Sequence, residues 1–443
     1  MFPVAKRLRQ LRCARFAVPI LLPLLMLASV PAGNAQTLTF DDALTSALLQ
    51  APVLRAGTSL IEAARHATVP AGELPDPKLV LGLDNVPVEG DDRFSTGEDF
   101  MTMQRVGLMQ EFTSGAKRKA RSELATAQVD LMRSDKRQQR QIVLLETALA
   151  WIARHTWERQ LALVAQWERD NALFDSVVRA QLAAATGSAL DALRPREEAA
   201  DIAALRDEVA AGCAQSIAQL RRWIGDTAEL PLGGEVPNWR IDVTELQHNL
   251  HQHPELMNFT SRARVLDADI AESRAAKQPD WEVTLAWLER GSGYDDMAML
   301  EVRMDLPLFT ASRQTPMVAS KVAQRAALDA EREASLREHA AMLEVEFSEY
   351  QRLQQSQQRF TDILLPLADE KVALALASWR SGEGALVDVI GARRERIATH
   401  IKAIAATGEL QQVAARLHFA NSESYEAAAN TTDSADNFTG ELP

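Results

Sequence analysis

Val302-Arg-Met-Asp-Leu-Pro-Leu-Phe309 reads as a strand that turns a corner, and Ser378-Trp-Arg-Ser-Gly-Glu-Gly-Ala-Leu-Val-Asp-Val-Ile-Gly391 reads as a turn between two helices. No glycine stands between Val302 and Gly382. That span predicts one helix over 312–381, which at a rise of about 1.5 Å per residue is ~105 Å long. This is several times the width of an ordinary domain. The same design of strand, very long helix, turn and Asp appears about 200 residues earlier. Two rods of this length, each hung from a pair of strands, imply an elongated chain rather than a compact enzyme.

Working outward, the strands alternate. In Trp281-Glu-Val-Thr-Leu-Ala-Trp287 the odd positions are Trp, Val, Leu and Trp, and the even ones Glu, Thr and Ala. From Met297 to Leu306 the even positions are apolar, while Glu301, Arg303 and Asp305 face the other way. Period-two alternation means one oily face and one wet face. Strands are expected at 79–86, 100–112, 281–288 and 297–308, joined by polar loops. Their lengths suit tilted strands crossing a bilayer, which need ~9–11 residues. The alternation alone fits a half-buried sheet of a soluble protein equally well. If these strands do enter lipid, four are too few, since ~8 is the smallest number that closes a membrane barrel. Open edges are not tolerated there, so several chains would have to share one barrel.

The chain has 443 residues, with 47% hydrophobic but only 5% aromatic residues. Abundant alanine suits closely spaced helix walls better than one large core. Residues 1–35 read as a secretory signal: Lys6, Arg7, Arg9, Arg12 and Arg15 precede the uncharged run Phe16 to Val30, and Gly33-Asn34-Ala35 supplies small residues for cleavage. The alternative is an uncleaved anchor, for which the run is short. Removing the segment takes five positive charges and no acids, moving the net charge from −13 to −18. That acidity argues against nucleic-acid binding. Cys13 leaves with the signal and Cys213 stands alone, so no intrachain disulfide is expected.

The first repeat is expected over 36–224. Helices at 41–49 and 52–69 open it, the second started by Pro52. After the strands a long helix at 114–184 carries a seam at Ile142, Leu145, Leu149 and Ile152. Trp151, Trp157 and Trp167 suit packing between helices rather than ligand binding. A turn then leads to a returning helix at 190–224. Pro231, Gly233, Gly234 and Pro237 mark 225–240 as a linker. The second repeat, 241–420, follows the same order and ends in a returning helix at 387–420. Leu44, Pro52, Leu54, Pro77 and Leu83 recur as Leu246, Pro254, Leu256, Pro279 and Leu285 at a spacing of 202. Beyond the shorter second hairpin Asp191 recurs as Asp388 at a spacing of 197. Residues 421–443 hold five acids and no Lys or Arg, and read as a disordered tail.

Site chemistry is sparse. His248, His251 and His253 form a cluster without Cys or a matched carboxylate, so a solvated or capping role is favoured and no metal site is assigned. Met101, Met103, Met109, Met297, Met299 and Met304 lie on the expected strands. Thioethers suit soft ions, but Met also fills apolar gaps, and filler is the preferred reading. No phosphate-binding glycine loop, His-Glu-x-x-His or nucleophile elbow is present, so neither an enzyme nor a cofactor is expected.

The chain from about Leu38 to Ala420 resembles the TolC-type outer-membrane efflux proteins. The resemblance rests on the doubled plan, on Ala51-Pro-Val-Leu54, on the corner Leu306-Pro-Leu-Phe309 and on the turn Ser381-Gly-Glu-Gly-Ala-Leu-Val-Asp388. It implies a mainly α fold with a β-barrel portion: a homotrimer with a 12-stranded barrel in outer-membrane lipid, continued by a periplasmic α-helical barrel. It implies that the hairpin turns, here Ala185, Thr186, Gly187 and Ser188 with Gly382, Glu383, Gly384 and Ala385, form the periplasmic mouth. That mouth docks onto a periplasmic adaptor joined to an inner-membrane pump. It also implies a gate and cation ring at Asp388 and Asp191, with the aromatic Trp379 before the turn. Helix capping is the competing role for both Asp residues. Some members carry a second Asp where this chain has Gly391, and an Arg latch where it has Gly384. The gate is therefore expected to close differently.

Asn85-Val-Pro87, Asp99-Phe-Met-Thr-Met103 and Val106-Gly-Leu-Met-Gln-Glu111 are most similar to the branch that partners heavy-metal RND pumps. The resemblance thus implies an exit duct for metal cations. A duct for drugs or secreted proteins keeps the same fold. A periplasmic coiled-coil scaffold without a pore is the reading from another class.

Overall fold

The computed structural model describes residues 37–185, 188–291 and 293–420. The expected signal at 1–35, Thr186 and Gly187 of the first turn, and the expected tail at 421–443 lie outside the described residues. In chain order the elements are α1 (Phe40–Gln50), α2 (Pro52–Ala71), β1 (Lys78–Asp84), β2 (Met103–Phe112), α3 (Gly115–Ala183) and α4 (Arg194–Ile224). Then come α5 (Val243–His248), α6 (Pro254–Ala275), β3 (Trp281–Arg290), β4 (Met297–Met304), α7 (Gln314–Arg359), α8 (Leu365–Arg380) and α9 (Leu386–Phe419).

The four strands form one antiparallel sheet in the order β1-β2-β3-β4. Its register aligns the alternation across all four. Leu81 pairs Val106, which pairs Trp287; Leu79 pairs Leu108, then Leu285, then Leu300. These side chains share one face and are exposed, Leu300 at 70%. The other face carries Lys78, Asp84, Arg105, Glu111, Glu282, Glu301 and Arg303. It is crossed by the ion pairs Arg105–Asp84 at 3.0 Å, Arg303–Glu301 at 2.8 Å and Arg303–Glu282 at 3.6 Å. On this face Thr284, Ala286 and Leu288 are buried, so the sheet curls with its polar side concave. Gly107 permits the curl. A Cβ there would stand 2.6 Å from Ala286 Cβ and 2.8 Å from the Leu285 carbonyl oxygen.

Strand ends differ from the expectation where local chemistry intervenes. β1 stops at Asp84 because Asn85 takes a left-handed φ of 55°. β2 starts at Met103 rather than 100, because the Asp99 carboxylate accepts the Met101 N–H at 2.7 Å and holds a turn. β4 ends at Met304 rather than 308, since Pro307 has no N–H to offer a ladder. β3 runs on to Arg290, whose N–H reaches Asp296 Oδ1 at 3.2 Å.

α3 is a single helix of 69 residues, ~100 Å long. Its counterpart is not continuous. The span expected as one helix over 312–381 divides into α7, a π turn at Phe360–Leu364, and α8. Pro366 is the cause. It has no N–H for the carbonyl four residues back, so the helix widens by one turn instead of breaking. The returning helix α4 begins at Arg194 rather than 190, after a tight 3-10 turn at Asp191–Leu193.

Two junctions fix the rods. At the sheet, Asp280 just before β3 accepts the Ser114 N–H at 2.8 Å and the Lys117 ammonium at 2.6 Å. Burial alone would raise the Asp280 carboxyl; these hydrogen bonds outweigh it and hold the group below its ordinary value. The second junction is a core around fully buried Trp151, packed edge-on against Phe40 and stacked on His155. Trp167 is buried further along α3, and Trp157 packs beside it. Arg154, also buried, donates to the carbonyls of Ala228 at 2.5 Å and Leu230 at 2.9 Å, tying the segment after α4 to α3. No described helix is long and apolar enough to cross a membrane.

Arg154→Ala leaves both carbonyls without their donor, at ~1–3 kcal/mol for each unsatisfied group. It should lower the thermal unfolding midpoint of the purified chain measured by circular dichroism. Arg154→Lys, with one point charge and no fork, should recover only part of the loss.

Candidate functional site: the helical hairpin tips

The first tip joins α3 to α4. Ala185 ends α3 in the left-handed region at φ 57°, its N–H bonded to the Leu182 carbonyl at 3.0 Å. Ser188 Oγ accepts the Leu190 N–H at 3.1 Å, and Asp191 Oδ2 accepts the Ser188 N–H at 3.3 Å. Asp191 is half-buried and engaged by its own turn. Thr186 and Gly187 lie outside the described residues.

The second tip joins α8 to α9. Glu383 and Gly384 both donate their N–H groups to the Ser378 carbonyl, at 3.1 and 2.9 Å, and Gly382 donates to Trp379 at 3.1 Å. Gly382 sits at φ 80°. A Cβ on Gly384 would lie 2.6 Å from Ser378 Oγ and 3.2 Å from its backbone carbon. A side chain at 384 would therefore require Ser378 to shift. Ala385 is the N-cap of α9 and makes no side-chain capping bond. Asp388 lies in the first turn of α9, exposed, near the positive end of the helix dipole. The two aspartates matched by sequence thus differ: one braces a turn and the other presents its carboxylate to solvent.

Both tips lie at one end of the molecule. Phe174 and Val178 of α3 pack with Leu386, Val389 and Ile390 of α9, and half-buried Trp379 joins them with its ring 5.8 Å from that of Phe174. Arg393 closes the cluster. Its guanidinium lies 4.7 Å from the Phe174 ring, and its Nε donates to Glu198 Oε1 at 3.1 Å. Glu198 on α4 is 1% exposed, so this pair is a buried link between the two hairpins. Arg394 and Asp201 pair beside it on the surface. The sequence spacing offers no signal for Arg393 with Glu198, because they lie on different returning helices 195 residues apart.

The histidines rearrange relative to the sequence. His248 and His251 are exposed, whereas His253 turns inward at the start of α6 and meets His339 on α7, ring centroids 4.2 Å apart. Burial first, and then the neighbouring His339, push His253 down to about 4 against the pull of Glu255, so it is neutral at pH 7. Nothing in the spacing of His248, His251 and His253 foretells the partner on α7.

No family model matches the sequence, and no curated protein matches it. Solved structures match over most of their length. A membrane protein from Pseudomonas aeruginosa is similar with a TM-score of 0.72 at 19% identity, covering 86% of this chain and 89% of that one. CusC, solved in work on folding and transmembrane channel formation, is similar with a TM-score of 0.70 at 16% identity, over 86% and 91%. The outer membrane protein VceC from Vibrio cholerae gives 0.67 at 16% identity, over 87% and 95%. This chain therefore has the fold of these membrane proteins, long joined helices with a small four-stranded antiparallel sheet.

Proposed function

We propose that this chain is the outer-membrane exit duct of a three-part efflux system, acting as a homotrimer without chemistry of its own. The observation that carries the reading is the sheet. It presents a largely apolar face over four strands, interrupted by Gln104 and Gln110 of β2, an opposite concave face crossed by ion pairs, and two unpaired edges, β1 and β4. An apolar exterior with a polar interior is the pattern of a membrane barrel. Edges cannot stay open in hydrocarbon, and three copies supply twelve strands, an even number above the minimum. A soluble periplasmic scaffold would have no use for such a face.

In this reading the helices continue the barrel into the periplasm, and the tips at Ala185–Ser188 and Gly382–Ala385 meet a periplasmic adaptor that joins them to an inner-membrane RND-type pump. Asp388 is the better placed of the two aspartates for a cation ring, since its carboxylate is exposed while that of Asp191 accepts a turn N–H. Three copies around a narrow mouth would concentrate cations. Arg393–Glu198 and Phe174–Trp379 take the place of the Arg latch that Gly384 cannot supply. Heavy-metal cations are the proposed cargo, on the Asn85-Val-Pro87 and Asp99–Met103 sequences together with the acidic mouth.

Growth of a deletion strain against graded copper, silver, zinc, cobalt, cadmium, dyes and antibiotics tests the cargo. Sensitivity to metals alone, restored by the wild-type chain, supports the reading; sensitivity to dyes and antibiotics alone moves the duct to a drug pump. For assembly, Leu285→Arg with Leu300→Arg puts two charges on the apolar face, each costing ~2–4 kcal/mol near the bilayer midplane. The trimer should disappear from outer-membrane fractions on unheated gels, while Glu301→Gln on the concave face should leave it intact. For the mouth, Asp388→Ala should weaken block by trivalent cations in single-channel recordings, and Asp191→Ala should weaken it less. Equal block in wild type and Asp388→Ala would remove Asp388 from the ring.

A further inference from the structure

A site away from both the sheet and the tips is built where α6 meets α7. α6 begins at Pro254, and His253 is its N-cap, with Nδ1 accepting the Glu255 N–H at 3.3 Å. Glu255, in the first turn, reaches across to α7. Its Oε2 lies 3.1 Å from His339 Nε2, and its Oε1 accepts the Ser335 hydroxyl at 3.3 Å. His339 and Ser335 stand four residues apart on α7 and so present one face to α6. One donor atom each from His253, Glu255 and His339 can be chosen so that all three lie within 4.8 Å of one another.

Packing does not demand this trio. The first repeat starts its equivalent helix, α2, with Ala51 and Val53 where the second has His253 and Glu255, on either side of the shared proline. Ala51 makes no side-chain cap, and α2 forms without one. The two imidazoles and the carboxylate are thus an addition to a helix start that works without them. They line a cavity of about 260 Å³, which also touches Met342 and Glu346. A cavity of that size holds several waters.

We propose that His253, Glu255 and His339 bind a borderline divalent transition ion of the Zn²⁺, Co²⁺, Ni²⁺ or Cu²⁺ class, clamping α6 to α7 with a fourth position open to the cavity. Two nitrogens and one oxygen suit this class. Hard ions such as Mg²⁺ and Ca²⁺ prefer oxygen alone, and Cu(I) prefers sulfur. Two His and one carboxylate with an open fourth position is also a known zinc ligand set. Ser335 supports the carboxylate from behind. The histidine must exchange one contact. A neutral imidazole that binds an ion through one nitrogen carries its proton on the other. Binding through either nitrogen of His253 therefore replaces the Glu255 N–H bond to Nδ1. That bond is long, and the loss is small beside a metal–nitrogen bond. The proposal stands on this geometry and does not depend on the chain being a duct or on its cargo.

The test uses the full-length protein purified in detergent, stripped with a chelator and exchanged into chelator-free buffer. Zn²⁺ is titrated by calorimetry against a competing chromophoric chelator, and Co²⁺ is followed by its visible absorption. One equivalent per chain is expected, with low-symmetry four-coordinate Co²⁺ bands and a rise in unfolding temperature on adding Zn²⁺. His339→Ala and His253→Ala should weaken binding by at least ~10-fold and abolish the temperature rise, and Glu255→Gln should weaken it too. His339→Gln keeps a polar group toward Glu255, so its metal-free unfolding temperature should match the wild type while the metal response is lost. His248→Ala and His251→Ala should bind as the wild type does. Absence of stoichiometric binding, or wild-type binding in the His339 variants, would overturn the proposal and leave an ordinary His–Glu pair beside a helix cap. Loss of binding in His248→Ala or His251→Ala would also overturn it, by moving the site.

Discussion

The unpaired outer edges of β1 and β4 are the constraint on which the rest of the structure depends. A backbone N–H or carbonyl left without a partner in an apolar medium costs several kcal/mol, and each edge presents a row of them. The exposed face beside those edges is built from Leu79, Leu81, Val106, Leu108, Leu285, Trp287, Leu300 and Val302, so water is a poor environment for it. Lipid is a good environment for the face and an impossible one for the edges. Closure against other copies, as in the proposed trimer, satisfies both. The ion pairs on the concave side cannot substitute, because exposed pairs contribute about 0–1 kcal/mol each. They mark that side as wetted. Gly107 matters here as well: without its missing Cβ the sheet could not bend tightly against Ala286 and Leu285.

Below the sheet the helices are held by separate clusters rather than one core. Trp151 anchors the largest cluster, Trp167 the next, and Phe174 the one at the tip, all on α3. The clusters shrink toward the tip, and stability is expected to fall with them. The tip cluster relies on Arg393 and Glu198, a buried pair. Such pairs add little net stability when intact but are costly to break one-sidedly. The tip is thus held in one arrangement without a large apolar interface.

Much of this was legible in the sequence, for a physical reason. Strand alternation and glycine-free helical runs are local patterns, and the register extends them without altering them. The departures were local too, but needed hydrogen-bond geometry: Asn85 ending β1, Asp99 delaying β2, Pro307 ending β4, and Pro366 converting one expected helix into two with a π turn. What could not be read were meetings between distant elements. Asp191 and Asp388 match in the repeat, yet only the structure separates the one that accepts the Ser188 N–H from the one left exposed. His339 is a lone histidine on a long helix until α6 brings His253 and Glu255 beside it. Arg393 and Glu198 likewise carry no shared signal.

These differences fall on the same side of the duplication. The first repeat has an uninterrupted α3, an aspartate engaged in its turn, and an uncapped Ala51 at the start of α2. The second has the π turn, the exposed Asp388 and the His253, Glu255 and His339 cluster. A trimer of two identical repeats would approach six-fold symmetry, with six equal tips and six equal walls. In the proposed trimer, divergence of the second repeat would reduce this to three-fold symmetry and let alternate hairpins differ. One hairpin can then keep the wall straight while its neighbour carries charge and bends. The π turn sits between the sheet and the second tip, in the rod that ends at Gly382. A widened turn is a weak point in an otherwise stiff helix. The repeat with the exposed Asp388 is therefore also the one whose rod departs from a regular helix.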